Sequence, residues 1–127
     1  MEMLKDATAH ATLPAADLER AKGFWAKLGL SPTNESPGGV DYVLGGGTGF
    51  SVYPTPNPTR GGHTQLGLEV NDVESEVADL RAKGVAFEEY DMPGLKTENG
   101  IATLEGAGKG AWFKDDDGNM IGLIGRS

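Results

Sequence analysis

The chain contains no cysteine among its 127 residues. That excludes a disulfide framework, a thiolate nucleophile and a cysteine-built zinc finger. Basic residues are also scarce: 11 Lys and Arg stand against 19 Asp and Glu, a formal charge of −8, with a pI near 4.6. Nucleic acids and anionic membranes reward clusters of Lys and Arg, so this balance argues against both as partners. It is compatible with a cationic ligand, or with plain solubility. Long apolar runs are missing too, the longest being a handful of residues, whereas a bilayer span needs about 20. The opening residues Met1–Asp6 lack the basic-then-apolar order of a signal peptide. Together these absences predict a cytoplasmic protein, and the length predicts one compact domain over residues 1–127.

What is present is an internal repeat. Asp17, Leu18, Gly29 and Leu30 recur as Asp72, Val73, Gly84 and Val85, each at an offset of 55. Both copies read as a short apolar strand, an acidic helix N-cap, about three turns of amphipathic helix, and a glycine stop. In the first helix Leu18, Ala21, Phe24, Trp25 and Leu28 form a single stripe at helical spacing. In the second, Val73, Val77 and Leu80 do the same. Two such units predict pseudo-twofold architecture, with a cleft shared between the halves.

Between these anchors the sequence predicts strands at 7–13, 30–33, 40–44 and 49–53 in the first module, which spans about 1–53. Residues 54–62 carry three prolines within Pro54–Pro58, which no central strand tolerates, and read as a linker. The second module, about 63–127, is expected to hold strands at 63–70, 85–90, 111–114 and 120–124, a long loop at 91–100, and a hairpin turn at Asp117-Gly118. The order is βαβββ twice, an α+β chain.

On two stretches the chain resembles a known family: His10 through Leu30, and Trp112-Phe-Lys-Asp-Asp-Asp-Gly-Asn119. It is similar to the vicinal oxygen chelate superfamily, which includes glyoxalase I, extradiol dioxygenases, and fosfomycin- and bleomycin-resistance proteins. The second stretch resembles the family's Asp-Pro-Asp-Gly-Asn hairpin, with Asp116 in place of proline. The resemblance implies paired βαβββ modules whose sheets curl around a concave cavity, often in a homodimer. It does not assign chemistry, because members range from metal-dependent lyases to metal-free binding proteins.

In the metal-dependent relatives four ligands come from the first and fourth strands of each module. Carried onto this chain, those positions are His10, Gln65, and the residues nearest Ser51 and Gly122. Neither Gly49–Tyr53 nor Met120–Ile124 holds Glu, Asp or His, so a slip of register supplies no donor. A transition metal needs three or four such donors on fixed elements, and no metal or other cofactor is expected. A substitute set of His10, His63 and Glu69 fails on distance, since His63 and Glu69 lie about 20 Å apart along one strand.

Strand alternation places His10 and Thr12 opposite Ala9, Ala11 and Leu13, hence toward the cavity. Two readings of His10 stay open: a general base or ligand contact, or a structural histidine satisfied by Gln65 across the pseudo-twofold. Trp112 either packs or forms a stacking wall with Tyr42 and Tyr53. Ser51 lacks a Gly-x-Ser-x-Gly setting, and Gly45–Gly49 lacks the lysine and following helix of a phosphate loop. No catalytic residue is assigned.

The sequence therefore predicts a metal-free, small-molecule binding protein of the drug-sequestering or bleomycin-resistance kind. Its ligand is expected to be aromatic or cationic. Ligand contacts are expected from His10, Gln65, Tyr53, Trp112, Ser51 and Tyr42, with His10, Gln65, Tyr53 and Trp112 lining one pocket in a homodimer. The alternative is a lyase, isomerase or dioxygenase with an unconventional metal site using His10. A regulatory module without a small ligand is the third class.

Overall fold

A computed structural model describes residues 5, 9–56, 63–104 and 108–125. Residues 1–4 and 6–8, the last two within the strand expected at 7–13, and residues 57–62 of the expected linker fall outside the described residues. Helix α1 (Leu18–Lys27) starts where the Asp17 carboxylate accepts the Arg20 N–H, and α2 (Val73–Ala82) where Asp72 accepts that of Ser75. Both carboxylates satisfy an otherwise orphaned donor and face the positive end of the helix.

Both helices also stop alike. Gly29 and Gly84 take φ of 95° and 91°, a region that side chains with a Cβ avoid. Leu30 N–H reaches back to Trp25 O and Val85 N–H to Leu80 O, each at 3.0 Å, the Schellman closure.

Those closures explain two departures from the expected strands. Leu30 and Val85 are consumed by capping, so no strand begins at either. The first strand after α1 is β2 (Asn34–Ser36), beyond Pro32, which has no N–H to give. In 85–90 the pairing is an isolated bridge between Phe87 and Phe113. The stretch expected as a loop at 91–100 instead holds β6 (Asp91–Met92) and β7 (Leu95–Glu98). Pro93 and Gly94 (φ 82°) turn the first hairpin, and Asn99 (φ 55°) with Gly100 (φ 79°) turn the next. Asn-Gly with both φ positive is the preferred two-residue hairpin turn.

The remaining strands are β1 (Ala11–Ala15), β3 (Gly39–Val43), β4 (Gly49–Pro54), β5 (Thr64–Val70), β8 (Ile101–Leu104), β9 (Gly108–Lys114) and β10 (Met120–Gly125). They form two sheets, ordered β1-β4-β3-β2 and β5-β10-β9-β8-β7-β6. β1 pairs with β4, and β5 with β10, in parallel; the other pairs are antiparallel. The second sheet repeats the first and adds the β6–β7 hairpin at its edge. This is the α+β, twice-βαβββ arrangement.

One face of each sheet is covered by its helix. Leu13, Val40, Tyr42, Phe50 and Val52 are buried with Ala21, Phe24 and Trp25 of α1. Leu66, Ala111, Phe113, Ile121 and Leu123 are buried with Val73, Val77 and Leu80 of α2. Trp25 lies 4.8 Å from Phe50 between ring centroids. Each such aromatic contributes about 1.5–3 kcal/mol by leaving water.

The turn between β9 and β10 ties the two sheets together. Asp115 accepts the N–H groups of Asp117 and Asn119, both at 2.9 Å, and the Asn119 side-chain amide at 2.7 Å. That amide also donates to Pro14 O at 3.0 Å. Asp117 accepts from Ala16 N–H at 2.9 Å and from the Arg20 guanidinium at 2.8 Å. Thus the aspartate-rich turn of the second module clasps the end of β1 and the start of α1. Among the described residues no helix is long and apolar enough to cross a membrane.

Candidate functional site

With one face of each sheet under a helix, the opposite faces are open. On the first sheet, β3–β4 register sets Asp41 beside Ser51, and β1–β4 register sets Thr12 on Ser51's other side. The Ser51 hydroxyl donates to the Asp41 carboxylate, and His10 Nε2 lies 2.6 Å from Ser51 Oγ. Asn34 Nδ2 donates to the second Asp41 oxygen at 3.2 Å. The Ser51 hydroxyl foremost, then Asn34, hold the Asp41 carboxyl below its ordinary value, so it is an anion and an acceptor at neutral pH. This Asp41–Ser51–His10 row borders two hollows. One, of about 400 Å³, is lined by His10, Thr33, Asp41, Thr48 and Ser51. Its neighbour, of about 290 Å³, takes in Thr12, Ser36 and Tyr53.

On the second sheet the equivalent row is different. Gly122 sits between Gly67 and Trp112, as Ser51 sits between Thr12 and Asp41. A Cβ on Gly122 would meet Trp112 Nε1 at 3.1 Å and Thr64 Cγ2 at 3.3 Å: the glycine makes room for the indole. Trp112 Nε1 donates to Thr64 Oγ1 at 3.1 Å. The Tyr90 ring meets that of Trp112 edge-on, with centroids 5.7 Å apart, and Tyr90 O–H points at Met120 Sδ, 3.8 Å away. Burial pushes the Tyr90 phenol above its ordinary value. A hollow of about 250 Å³ lies among His63, Thr64, Tyr90, Met92, Trp112 and Met120, lined by aromatic, thioether and small polar groups.

The expected ligand contacts therefore fall into groups within the chain. His10 and Ser51 meet, with Tyr53 in the adjoining hollow, 39% exposed. Trp112 lines a separate hollow on the second sheet. Gln65 is half-buried on β5, where the strand bulges between Thr64 and Leu66. A bulge re-aims side chains, and here Thr64 is the residue against the indole. Tyr42 corrects the expected wall of Tyr42, Tyr53 and Trp112. As the register partner of Phe50 it faces α1, 1% exposed and stacked on Phe50 at 5.0 Å. Its hydroxyl is buried without a hydrogen-bond partner, although the residue also borders the His10 hollow.

Asp41, Tyr90, Thr64 and Met120 were not foreseen. Asp41 had a signal: a charged residue between Val40 and Tyr42 in a short strand must face out of the core. Tyr90 and Met120 depend on pairings across the sheet that no local pattern announces.

The positions that hold a metal in some relatives do not fit one here. Gly122 offers no donor and its side-chain space is taken by the indole. Ser51 is engaged by Asp41 and His10. Among the described residues no group of three or more His, Cys, Asp or Glu is placed to hold an ion.

A family model for the glyoxalase/bleomycin resistance protein/dioxygenase superfamily matches residues 7–123. TnmS3, an antibiotic binding protein from Streptomyces sp. CB03234, is 26% identical with a TM-score of 0.65, over 95% of this chain and 98% of its own. A glyoxalase/bleomycin resistance protein from the same source is also 26% identical, over 89% and 95% of the two chains, at a TM-score of 0.62. The fosfomycin resistance protein FosX from Listeria monocytogenes, solved with Mn(II) and sulfate, shares the fold at a TM-score of 0.71. It is 14% identical over 95% and 90% of the two chains. No protein of curated function matches the sequence.

Proposed function

Because this chain belongs to the glyoxalase/bleomycin resistance protein/dioxygenase superfamily, the residues at its ligand positions decide between that family's binders and its enzymes, and we propose that it is a binder. It sequesters a planar aromatic small molecule, of the antibiotic type, without a catalytic metal. The observation that carries this is the Trp112 indole laid beside Gly122, where a metal site would need a donor and a ligand's flat face needs a stacking surface. The 26% identity to an antibiotic binding protein supports the same reading. The polar row at His10 and the aromatic hollow at Trp112 complete one cavity when two copies of the chain pair as a homodimer. The net charge of −8 favours a neutral or cationic ligand over an anion.

The rival enzyme reading has His10 as its best metal donor, yet His10 Nε2 is directed at Ser51. Titration with a panel of glycopeptide and aromatic antibiotics, read as a melting shift, tests the proposal. At a hundredfold excess over Kd a ligand stabilises the fold by about 2.7 kcal/mol, or several degrees in Tm. A panel without any shift, or about one tightly held Zn, Ni, Mn or Fe per chain by elemental analysis, overturns it.

A further inference from the structure

The Asp41–Ser51–His10 row has a direction, and the direction selects the ligand. Ser51 has one hydroxyl hydrogen, and the ionised Asp41 carboxylate can only accept. The hydrogen therefore goes to Asp41, and Ser51 Oγ is left to accept. Its 2.6 Å contact with His10 Nε2 then requires a hydrogen on that nitrogen. This order is opposite to that of a serine nucleophile, whose hydroxyl must donate to histidine. A neutral His10 consequently carries its lone pair on Nδ1, which makes the ring, part of the lining of the larger hollow, a hydrogen-bond acceptor. A second observation agrees. Among the described residues, the two hollows that flank this row contain Thr12, Thr33, Thr48 and Tyr53 but no Lys or Arg, a lining of hydrogen-bonding groups rather than of fixed cations.

We infer that the open face of the first module reads a hydrogen-bond donor: the ligand brings an aromatic hydroxyl or amino group to His10, and Ser51 and Asp41 fix the tautomer that accepts it. His10 is the contact residue, while Ser51 and Asp41 are positioning residues. The inference rests on the binding function proposed above and adds the chemistry of the ligand's edge.

Three probes of one shape test it on the full-length protein: 2-naphthol, which donates; 2-methoxynaphthalene, which does not; and 2-naphthoate, an anion. A site built around a polar partner rejects an analogue that leaves the partner unpaired. Binding of 2-naphthol should be at least about tenfold tighter than of either other probe, a difference of about 1.4 kcal/mol. In His10→Ala that ratio should fall to near one, and in Ser51→Ala it should fall partway. Trp112→Phe should weaken all three probes together and leave the ratio intact. Nitrogen NMR gives a readout beyond affinity: neutral His10 should show its hydrogen on Nε2, and Nδ1 should move on adding 2-naphthol. Equal binding of 2-naphthol and 2-methoxynaphthalene overturns the donor inference and leaves the binding function standing. So does tightest binding of 2-naphthoate, or a ratio that survives His10→Ala. If no probe binds, both fall.

Discussion

The two modules share a plan and differ by face. On the helix-covered faces, register matches Leu13, Val52 and Val40 in the first sheet to Leu68, Leu123 and Ala111 in the second. All six are apolar, because each row must pack beneath a helix. One residue along, on the open faces, Thr12, Ser51 and Asp41 stand against Gly67, Gly122 and Trp112. One row is hydroxyls and a carboxylate; the other is two glycines and an indole. Packing fixes the covered rows and leaves the open rows free to diverge. Under the proposed binding function, the difference between the modules is where ligand chemistry would be set.

The sharpest way to break this comparison is to truncate one tryptophan from each face. Trp25 is 1% exposed and wedged among Phe24, Tyr42 and Phe50. Trp25→Ala should cost about 3–5 kcal/mol, the range for emptying an aromatic site in a core. Trp112→Ala removes a half-buried ring from an open face, and should cost well under half of that while abolishing ligand stacking. Urea unfolding midpoints for the two variants measure the contrast. Equal losses would mean that Trp112 is a core residue and that the two faces are not different in kind.

A smaller effect is expected at the clasp between modules. Asp117→Ala leaves the Ala16 N–H without its acceptor and removes the ion pair to Arg20, whose side chain is half exposed and can turn to water. The loss should be about 1–3 kcal/mol, read from the same midpoints. A loss near zero would show that the turn does not hold the modules together.

How much of this was legible depends on whether a feature is local. The helix stripes, the Asp17 and Asp72 caps and the Gly29 and Gly84 stops each lie within a few residues of what they act on, and the offset of 55 repeats them. Strand alternation pointed His10 away from the helix-packed face, whereas Ser51 was singled out only through the family resemblance. Asn99-Gly100 was a local hairpin signal that went unread inside a segment taken for a loop. The core-facing side of Tyr42 was local too: strand alternation sets it opposite the charged Asp41, and that signal was left unused. The pairing of Tyr90 with Trp112 and the clasp of Asp117 on Ala16 join residues far apart in the chain, and nothing near either one points to its partner.

The finest contrast between the modules lies in acid titration, because two aspartates shift in opposite directions. Burial, opposed by hydrogen bonds from Asn119 and Asp117, raises the Asp115 carboxyl above its ordinary 3.8. The folded chain then holds a proton that the unfolded chain has released. Asp115 contributes stability below its ordinary value, and this is lost as pH rises through its raised folded value. Asp41, lowered from 3.8 by Ser51 and Asn34, has the reverse sign: its contribution is present above 3.8 and is lost as pH falls through the depressed value. Urea midpoints taken from pH 3 to pH 6 should separate the two. Relative to the wild type, Asp115→Asn should remove a decline in stability toward higher pH, whatever constant offset it adds by setting two amides face to face at Asn119. Asp41→Asn should remove a decline toward lower pH. Slopes that change in the same direction in both variants would show that the two aspartates share one environment after all.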